Sequence, residues 1–149
     1  MIDKTHRQDR WIALSSILLA VMLVSACAPA SPSPPANQQP PLAGTDWLLV
    51  QINGQPPLAG TQVTLVFEDA NLGGMTGCNH FGGDYTSSPD GKLSTGTLMQ
   101  TEIYCMEPEG VMAQEVMYQE RLSQANSYRV VNERLELLNP EGEVILVFE

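Results

Sequence analysis

From Leu42 onward, the chain consists of short apolar segments separated by glycine, proline and asparagine. This spacing of turn residues limits the possible folds more than any other feature, because short apolar runs bounded by turn residues favour strands. The strand-like segments are residues 47–52, 63–67, 92–101, 127–131, 134–138 and 144–148. The pattern predicts five to eight short antiparallel strands.

Residues 107–126 are the one good helix candidate. At 100° per residue, Val111, Tyr118 and Leu122 share one face, and Pro108 suits a first helical turn. Glu115 falls on the same face, so the amphipathic pattern is imperfect. One helix packed on antiparallel strands predicts the α+β class.

Turn signals lie between these segments. The hexapeptide PPLAGT occurs at 40–45 and again at 56–61, each time before a strand-like segment. Two copies are too few for a solenoid, so we interpret them as turns that lead into strands. Asn53-Gly54 predicts a further tight turn. Five glycines among residues 71–85 indicate bulges and close backbone approach.

The first 26 residues have the layout of an export signal. Three basic residues, Lys4, Arg7 and Arg10, precede the uncharged segment 11–26. That segment of 16 residues is shorter than the roughly 20 that a membrane-spanning helix needs. A cleaved signal peptide, residues 1–26, is therefore the better interpretation.

The residues around the expected cleavage point indicate a lipid anchor. The sequence LVSAC at 23–27 resembles the bacterial lipobox. The resemblance implies diacylglycerol attachment to the Cys27 sulfur and cleavage before Cys27. Acylation at two points would give stable membrane anchoring, which one acyl chain does not.

Residues 27–41 then predict a lipidated cysteine followed by a tether. Six of the fourteen residues 28–41 are proline, and none is charged or aromatic. In polyproline II geometry this segment would reach about 40 Å. We therefore expect the globular domain to occupy residues 42–149.

The expected mature chain, residues 27–149, is strongly acidic. Three of the seven basic residues and two of the seventeen acidic residues lie in 1–26, which leaves four basic and fifteen acidic residues and a formal charge of −11. This balance argues against a nucleic-acid partner and against binding of the domain surface to anionic headgroups. We interpret it as a source of solubility and of repulsion from the membrane, in preference to recognition of a cationic partner.

Two constellations are candidates for chemistry. One is a Cys78/His80 nucleophile pair, and the other is a metal site formed by Cys78, His80, Asp84 and Cys105. The chain has no G-x-S-x-G or C-x-x-C motif, and residues 27–149 contain a single histidine. The glycine-rich stretch lacks the spacing of a phosphate-binding loop. We expect no enzymatic activity, no metal and no cofactor.

The cysteine count has a simpler explanation. If Cys27 carries lipid, Cys78 and Cys105 remain as a pair, in a compartment where disulfides persist. A bridge between them would stabilise the fold by roughly 3 to 4 kcal/mol on the loop-entropy model.

Several short motifs follow one another along the chain. They are Leu42-x-Gly44-Thr45-x-Trp47, Val63-Thr64-Leu65-x-Phe67, Gly77-Cys78-Asn79-x-Phe81-x-Gly83-x-Tyr85, Thr101-x-x-x-Cys105, a helix with Glu115 and Leu122, Tyr128-x-Val130, Leu135-x-Leu137, Gly142 and Phe148. The ordered set resembles the META domain family, which includes the bacterial heat-shock protein HslJ. The resemblance implies a compact, antiparallel, partly barrel-like β fold with one helix, and an envelope location. Family members are associated with heat shock, novobiocin tolerance and virulence, but the resemblance supplies no catalytic residue.

We therefore expect a lipid-anchored, non-enzymatic envelope protein held to the membrane through Cys27. It would bind or stabilise an envelope protein or a small ligand. One alternative is a carrier of small apolar ligands with a cavity in the β layer. Another is a redox protein built on Cys78 and Cys105.

Overall fold

The computed structural model describes residues 38–149. The predicted export signal, the lipid attachment at Cys27 and most of the predicted tether lie outside the described residues. The end of the tether segment contacts the domain. The Gln39 amide donates to the Pro89 carbonyl oxygen at 2.8 Å, and the Pro40 carbonyl oxygen accepts from the Tyr128 hydroxyl at 3.0 Å.

Within residues 38–149 the chain forms nine strands and one helix. In chain order they are β1 (Thr45–Ile52), β2 (Thr64–Phe67), β3 (Asn71–Met75), β4 (His80–Ser87), β5 (Leu93–Thr95), β6 (Met99–Gln100), α1 (Val111–Gln124), β7 (Ser127–Val131), β8 (Arg134–Leu138) and β9 (Val144–Phe148). All pairings between these strands are antiparallel. The α+β class is confirmed.

The sheet has the order β5-β4-β3-β2-β1-β9-β8-β7, and β6 pairs with β4 beside β5. It is not closed, so the partly barrel-like form that the family resemblance implied is not confirmed. The end strands β5 and β7 are not paired with each other, although one isolated bridge joins Lys92, the residue before β5, to Ser127 of β7. There the Tyr128 amide donates to the Gly91 carbonyl oxygen at 2.7 Å.

The predicted turn at Asn53-Gly54 forms, and the turn between β7 and β8 has the same backbone conformation. Asn53 and Gly54 both have positive φ, and so do Asn132 and Glu133 between β7 and β8. This is the backbone of a type I′ turn, whose twist matches that of the flanking strands. The last three strands have the predicted boundaries because each is a continuous apolar or alternating run bounded by turn residues.

The two PPLAGT copies form the same local structure. In the first, the Thr45 amide and hydroxyl both donate to the Leu42 carbonyl oxygen, at 3.1 and 2.6 Å. In the second, Thr61 bonds to the Leu58 carbonyl oxygen in the same way, at 3.1 and 2.7 Å. Both copies are therefore turns, as the sequence predicts.

The sheet and the helix share one apolar core. Tyr118 of α1 is fully buried and packs edge-on against Phe81 and Phe148, with ring centroids 5.6 and 6.5 Å apart. Burial raises the pKa of the Tyr118 hydroxyl, so this side chain stays neutral in the core. Phe67 and Tyr85 make a third edge-on pair at 4.9 Å.

The predicted strand count and several predicted boundaries are wrong. The strand count exceeds five to eight because the glycine-rich stretch itself forms β3 and most of β4. The predicted segment 92–101 is split into β5 and β6 by Gly96–Leu98. The helix begins at Val111, not Glu107, because Gly110 takes the N-cap position and Pro108 lies in the turn before it. In the described part of the chain, no helix is both long and apolar enough to cross a membrane.

Candidate functional site

The motif Gly77 to Tyr85 spans the turn between β3 and β4 and continues along β4. Phe81 and Tyr85 point into the core. Gly77 has φ +104, and a Cβ at this position would lie 3.2 Å from the Thr61 Cβ. The turn therefore requires glycine, both for its backbone conformation and for its close approach to the β1–β2 connection.

Asn79 is the centre of this turn. Its side chain is buried, with the residue 1% exposed, and it uses all its hydrogen-bonding capacity. The Oδ1 atom accepts from the Thr101 hydroxyl and from the Ile103 amide, both at 2.7 Å. The Nδ2 group donates to the Ile103 carbonyl oxygen at 2.9 Å and to the Glu115 carboxyl group at 3.0 Å. One side chain thus joins β4, the segment after β6 and the helix.

Glu115 provides the helix side of the junction. It is 2% exposed and accepts from the Asn79 amide at 3.2 Å as well as from the Asn79 side chain. The Thr76 hydroxyl also contacts the Glu115 carboxyl group. A buried carboxyl group is tolerated only when donors surround it, and these contacts supply them. We call Thr76, Asn79, Thr101 and Glu115 the Asn79 junction.

The neighbouring helix residue also bonds to the sheet side. Gln114 is buried, its Oε1 accepts from the Leu58 amide at 2.6 Å, and its Nε2 donates to the Thr61 hydroxyl at 3.1 Å. Consecutive polar side chains therefore fix the N-terminal half of α1 from two sides. Leu122 and Tyr118 fix its C-terminal half by apolar packing.

The predicted pair of cysteines forms a disulfide in the structure. Cys78 is buried, Cys105 is partly buried, and the bridge lies beside the Asn79 junction. It joins the β3–β4 turn to the same segment that Asn79 holds at Thr101 and Ile103. Two independent links therefore fix residues 101–105 against the domain.

Because Cys78 is bonded to Cys105, neither sulfur is a free nucleophile or a thiolate ligand in this structure. The Cys78/His80 pair and the four-residue metal site are therefore not supported by the geometry. Among residues 38–149, no group of three His, Cys, Asp or Glu side chains is placed to hold a metal.

The other predicted motif residues build the start of the sheet. Trp47 is partly buried, and its Nε1 donates to the Thr45 hydroxyl oxygen at 2.7 Å. Gly44 has φ +79 in the turn before β1. Gly83 of β4 lies so close to the connection between β5 and β6 that a Cβ would be 2.7 Å from the Thr97 carbonyl oxygen. These residues shape the scaffold.

Large apolar side chains are exposed along the fixed segment. Tyr104 and Met106 are 78% and 79% exposed, and Met99 and Ile103 are exposed as well. Single exposed apolar residues are ordinary, but four within eight residues mark a candidate interaction site.

The helix adds a fifth member to this group. Met112, Val116 and Gln119 share one side of α1. Met112 accepts from the Cys105 amide at 3.4 Å, and Gln119 bonds to the Gln100 side chain, so this side faces the segment 100–105. Val116 lies between them and is exposed. We call Met99, Ile103, Tyr104, Met106 and Val116 the exposed apolar surface.

A separate cleft lies between α1 and the connection from β1 to β2. Its volume is about 430 Å³. It is lined mainly by apolar side chains; the lining residues are Ile52, Asn53, Gln55, Pro56, Leu58, Gly110, Ala113, Gln114 and Met117.

Residues 40–149 match the family model of the META domain. The chain belongs to the META domain family. Several of the motif residues named from the sequence lie in the Asn79 junction, the disulfide and the first turn of the sheet; they are Gly44, Thr45, Cys78, Asn79, Thr101, Cys105 and Glu115.

Two solved structures resemble this META domain. An NMR structure of a protein from Burkholderia xenovorans is 25% identical with a TM-score of 0.59, and the match covers 82% of this chain and 95% of that one. A second, described as the NMR structure of a protein, is 21% identical with a TM-score of 0.58 and shares the fold; the match covers 72% of this chain and 90% of that one. No curated protein matches the chain.

Sequence reasoning included Glu115 among the motif residues but did not connect it with Asn79. The sequence did contain a signal for this contact. Glu115 lies on the apolar face of the helix, and a carboxyl group buried there needs a hydrogen-bond donor from elsewhere in the chain. Thr76 and Gln114 gave no comparable signal, since their partners lie 39 and 56 residues away in the chain.

The coupling between Asn79 and Glu115 is testable. Asn79→Asp should lower the free energy of unfolding by about 3 to 5 kcal/mol, because it replaces a buried donor with a carboxylate facing Glu115. Adding Glu115→Gln should restore part of this loss, since the new amide can donate to the introduced carboxylate. Urea unfolding of the single and double variants measures the coupling energy, which we expect to exceed about 1 kcal/mol.

Glu120→Gln, an exposed change on the same helix, is the control, and it should shift stability by less than about 0.5 kcal/mol. Strictly additive effects of the Asn79 and Glu115 changes would contradict a direct bond between them.

The disulfide should contribute to stability. Cys78→Ala should leave one free thiol at Cys105 and lower the free energy of unfolding by about 3 to 4 kcal/mol, because 27 residues separate the two cysteines. Thiol titration and thermal unfolding measure both effects, and the Cys78→Ala/Cys105→Ala variant controls for the unpaired thiol. An unchanged thiol count and melting temperature would show that the bridge does not form.

Proposed function

We propose that this META domain protein is a non-enzymatic interaction module, lipid-anchored in the bacterial cell envelope, that binds and stabilises an envelope protein under stress. The observation that carries the proposal is the exposed apolar surface, held in place by the Asn79 junction and the disulfide. A surface whose backbone is fixed from inside the domain binds a partner at a lower ordering cost than a flexible loop.

The anchor is part of the proposal and rests on the sequence. The basic start, the uncharged segment 11–26 and the LVSAC sequence before the proline-rich tether support lipid attachment at Cys27. A tether of this composition would keep the domain within about 40 Å of the membrane. Partners would then be envelope proteins reachable from that position.

The absence of enzymatic activity is also proposed. His80, the one histidine of residues 27–149, is exposed, and its backbone amide bonds to the Thr101 hydroxyl. Cys78 and Cys105 are bonded to each other in the disulfide, so neither provides a free thiol. The polar groups that do converge, at the Asn79 junction, are bonded to one another, and Thr76, Asn79 and Glu115 are buried, which suits a structural role.

Photocrosslinking in intact cells tests the proposal. A benzoylphenylalanine at Tyr104 should give a discrete protein adduct, whereas the same residue at Glu133, an exposed position in the β7–β8 turn, should not. The adduct should disappear when Ile103→Ser and Met106→Ser remove apolar contact area from the same surface. It should also weaken in Cys27→Ala, which would lose the anchor.

Identical adducts at positions 104 and 133, or adducts to lipid alone, would contradict the interaction proposal. Retention of Cys27→Ala in the membrane fraction would separately count against the lipid anchor.

A second candidate function is the binding of a small apolar molecule in the cleft beside α1. Ligand sites commonly have volumes of about 300–1,000 Å³ with mostly apolar walls, and the cleft of about 430 Å³ has both properties. It lies between the helix and a loop, in contrast to the position in the β layer suggested by the sequence.

The neutral fluorophore N-phenyl-1-naphthylamine tests this second function. The protein should enhance its fluorescence with saturation, and Ala113→Trp should reduce that enhancement at least about fivefold by filling the cleft. Ser123→Trp places the same ring at an exposed helix position outside the cleft lining. Equal loss in both variants, or no saturation, would remove the carrier function.

A further inference from the structure

The segment after β6 continues the sheet edge without a neighbouring strand. The Thr101 amide donates to the His80 carbonyl oxygen at 3.0 Å, as in a strand pair. Two residues later, both backbone groups of Ile103 bond to the Asn79 side chain, at 2.7 and 2.9 Å. The Asn79 amide thus acts as the backbone of a pairing strand and keeps this segment extended, since alternate residues bond inward.

The residues between these positions present their backbone outward. In residues 38–149, neither the amide nor the carbonyl group of Glu102 and Tyr104 has a protein hydrogen-bond partner. β6, which begins this edge, pairs with β4 alone. Residues 99–104 are therefore an open strand edge, the kind of template on which another chain can pair.

The charges on this edge have one sign. Glu102, Glu107 and Glu109 are exposed carboxylates within the segment 99–109, which contains no basic residue. The basic residues of the domain form ion pairs elsewhere: Lys92 with Asp90, Arg121 with Glu120, Arg129 with Glu136 and Arg134 with Glu149. The carboxylates beside the exposed apolar surface are thus left without a cation among the described residues.

We propose that residues 99–104 are a docking edge for an extended segment of a partner protein in which lysine or arginine alternates with aliphatic residues. This docking edge rests on the proposed interaction function, and it specifies how the partner binds and which side chains the partner carries. The partner segment adds an antiparallel strand along Glu102 and Tyr104. Its aliphatic side chains cover Ile103 on one face, and its basic side chains meet Glu102 and Tyr104 on the other face.

The carboxylates of Glu102, Glu107 and Glu109 favour this partner over two other possible occupants of the edge. A second copy of the chain would bring Glu102 and its neighbours against the same carboxylates, at a cost from like-charge repulsion. An anionic bilayer would be repelled by the same groups, although the apolar side chains suit a membrane surface.

Titration with a synthetic peptide tests the docking edge. The probe is acetyl-KVKIKVK-amide, and the matched control is acetyl-EVEIEVE-amide, observed by isothermal titration of the purified protein. We expect saturable binding of the basic peptide at one site and at least about tenfold weaker binding of the acidic one. A basic peptide with N-methyl groups on alternate residues should also bind at least about tenfold more weakly, because it lacks the pairing amides.

Two charge reversals locate the site. Glu102→Lys should weaken binding of the basic peptide by about tenfold or more, whereas Glu141→Lys, an exposed reversal in the β8–β9 turn, should change it less than about threefold. Both variants have the same net charge, so a difference between them reports the position of the peptide. Equal effects of the two reversals, or equal binding of the N-methylated peptide, would overturn the docking edge.

Vesicles of phosphatidylcholine alone and with phosphatidylglycerol test the membrane alternative. If the protein sediments with either vesicle and Tyr104→Ser abolishes that sedimentation, the edge binds a lipid surface and not a partner segment. If no peptide binds but the adduct at position 104 persists in cells, this inference fails and the interaction proposal stands. If both are absent, both fail.

Discussion

The hydrogen bonds of the Asn79 side chain hold together the part of the domain in which its distinctive residues lie. This one amide joins β4, the segment at Thr101 and Ile103, and the helix at Glu115. The bond to Glu115 is buried and those to Thr101 and Ile103 are partly buried, so they are stronger than bonds on the open surface and costly to leave unmade. Asparagine suits the position because it offers two donors and two acceptor sites in one plane.

The junction also explains the composition of the helix. A helix that packed only by apolar contacts would not need Gln114 and Glu115 on its buried side. Here these two residues bond to the β1–β2 connection and to the β3–β4 turn, while Tyr118 and Leu122 supply the apolar contact. The directional bonds define the rotation and the height of the helix on the sheet, which apolar packing alone specifies less sharply.

The same links determine what the surface presents. Because Asn79 and the disulfide hold residues 101–105 from inside, Ile103 and Tyr104 stay exposed although both are apolar. The acidic composition, which sequence reasoning assigned to solubility, acquires a local meaning at this edge, where unpaired carboxylates surround apolar side chains. Solubility and the proposed binding of a basic segment are compatible, since the same carboxylates repel acidic surfaces and attract cationic side chains.

The amino-acid sequence by itself determined the α+β class, the three C-terminal strands and the tight turn at Asn53-Gly54, and it predicted the pairing of Cys78 with Cys105 if Cys27 carries lipid. Each of these follows from local periodicity, turn chemistry or residue count. Only the tertiary structure decided that the glycine-rich stretch forms strands, because those residues become extended by pairing with neighbours and not by their own propensity. It alone also decided that Asn79 meets Glu115, since contacts between residues 36 apart depend on how the helix returns to the sheet.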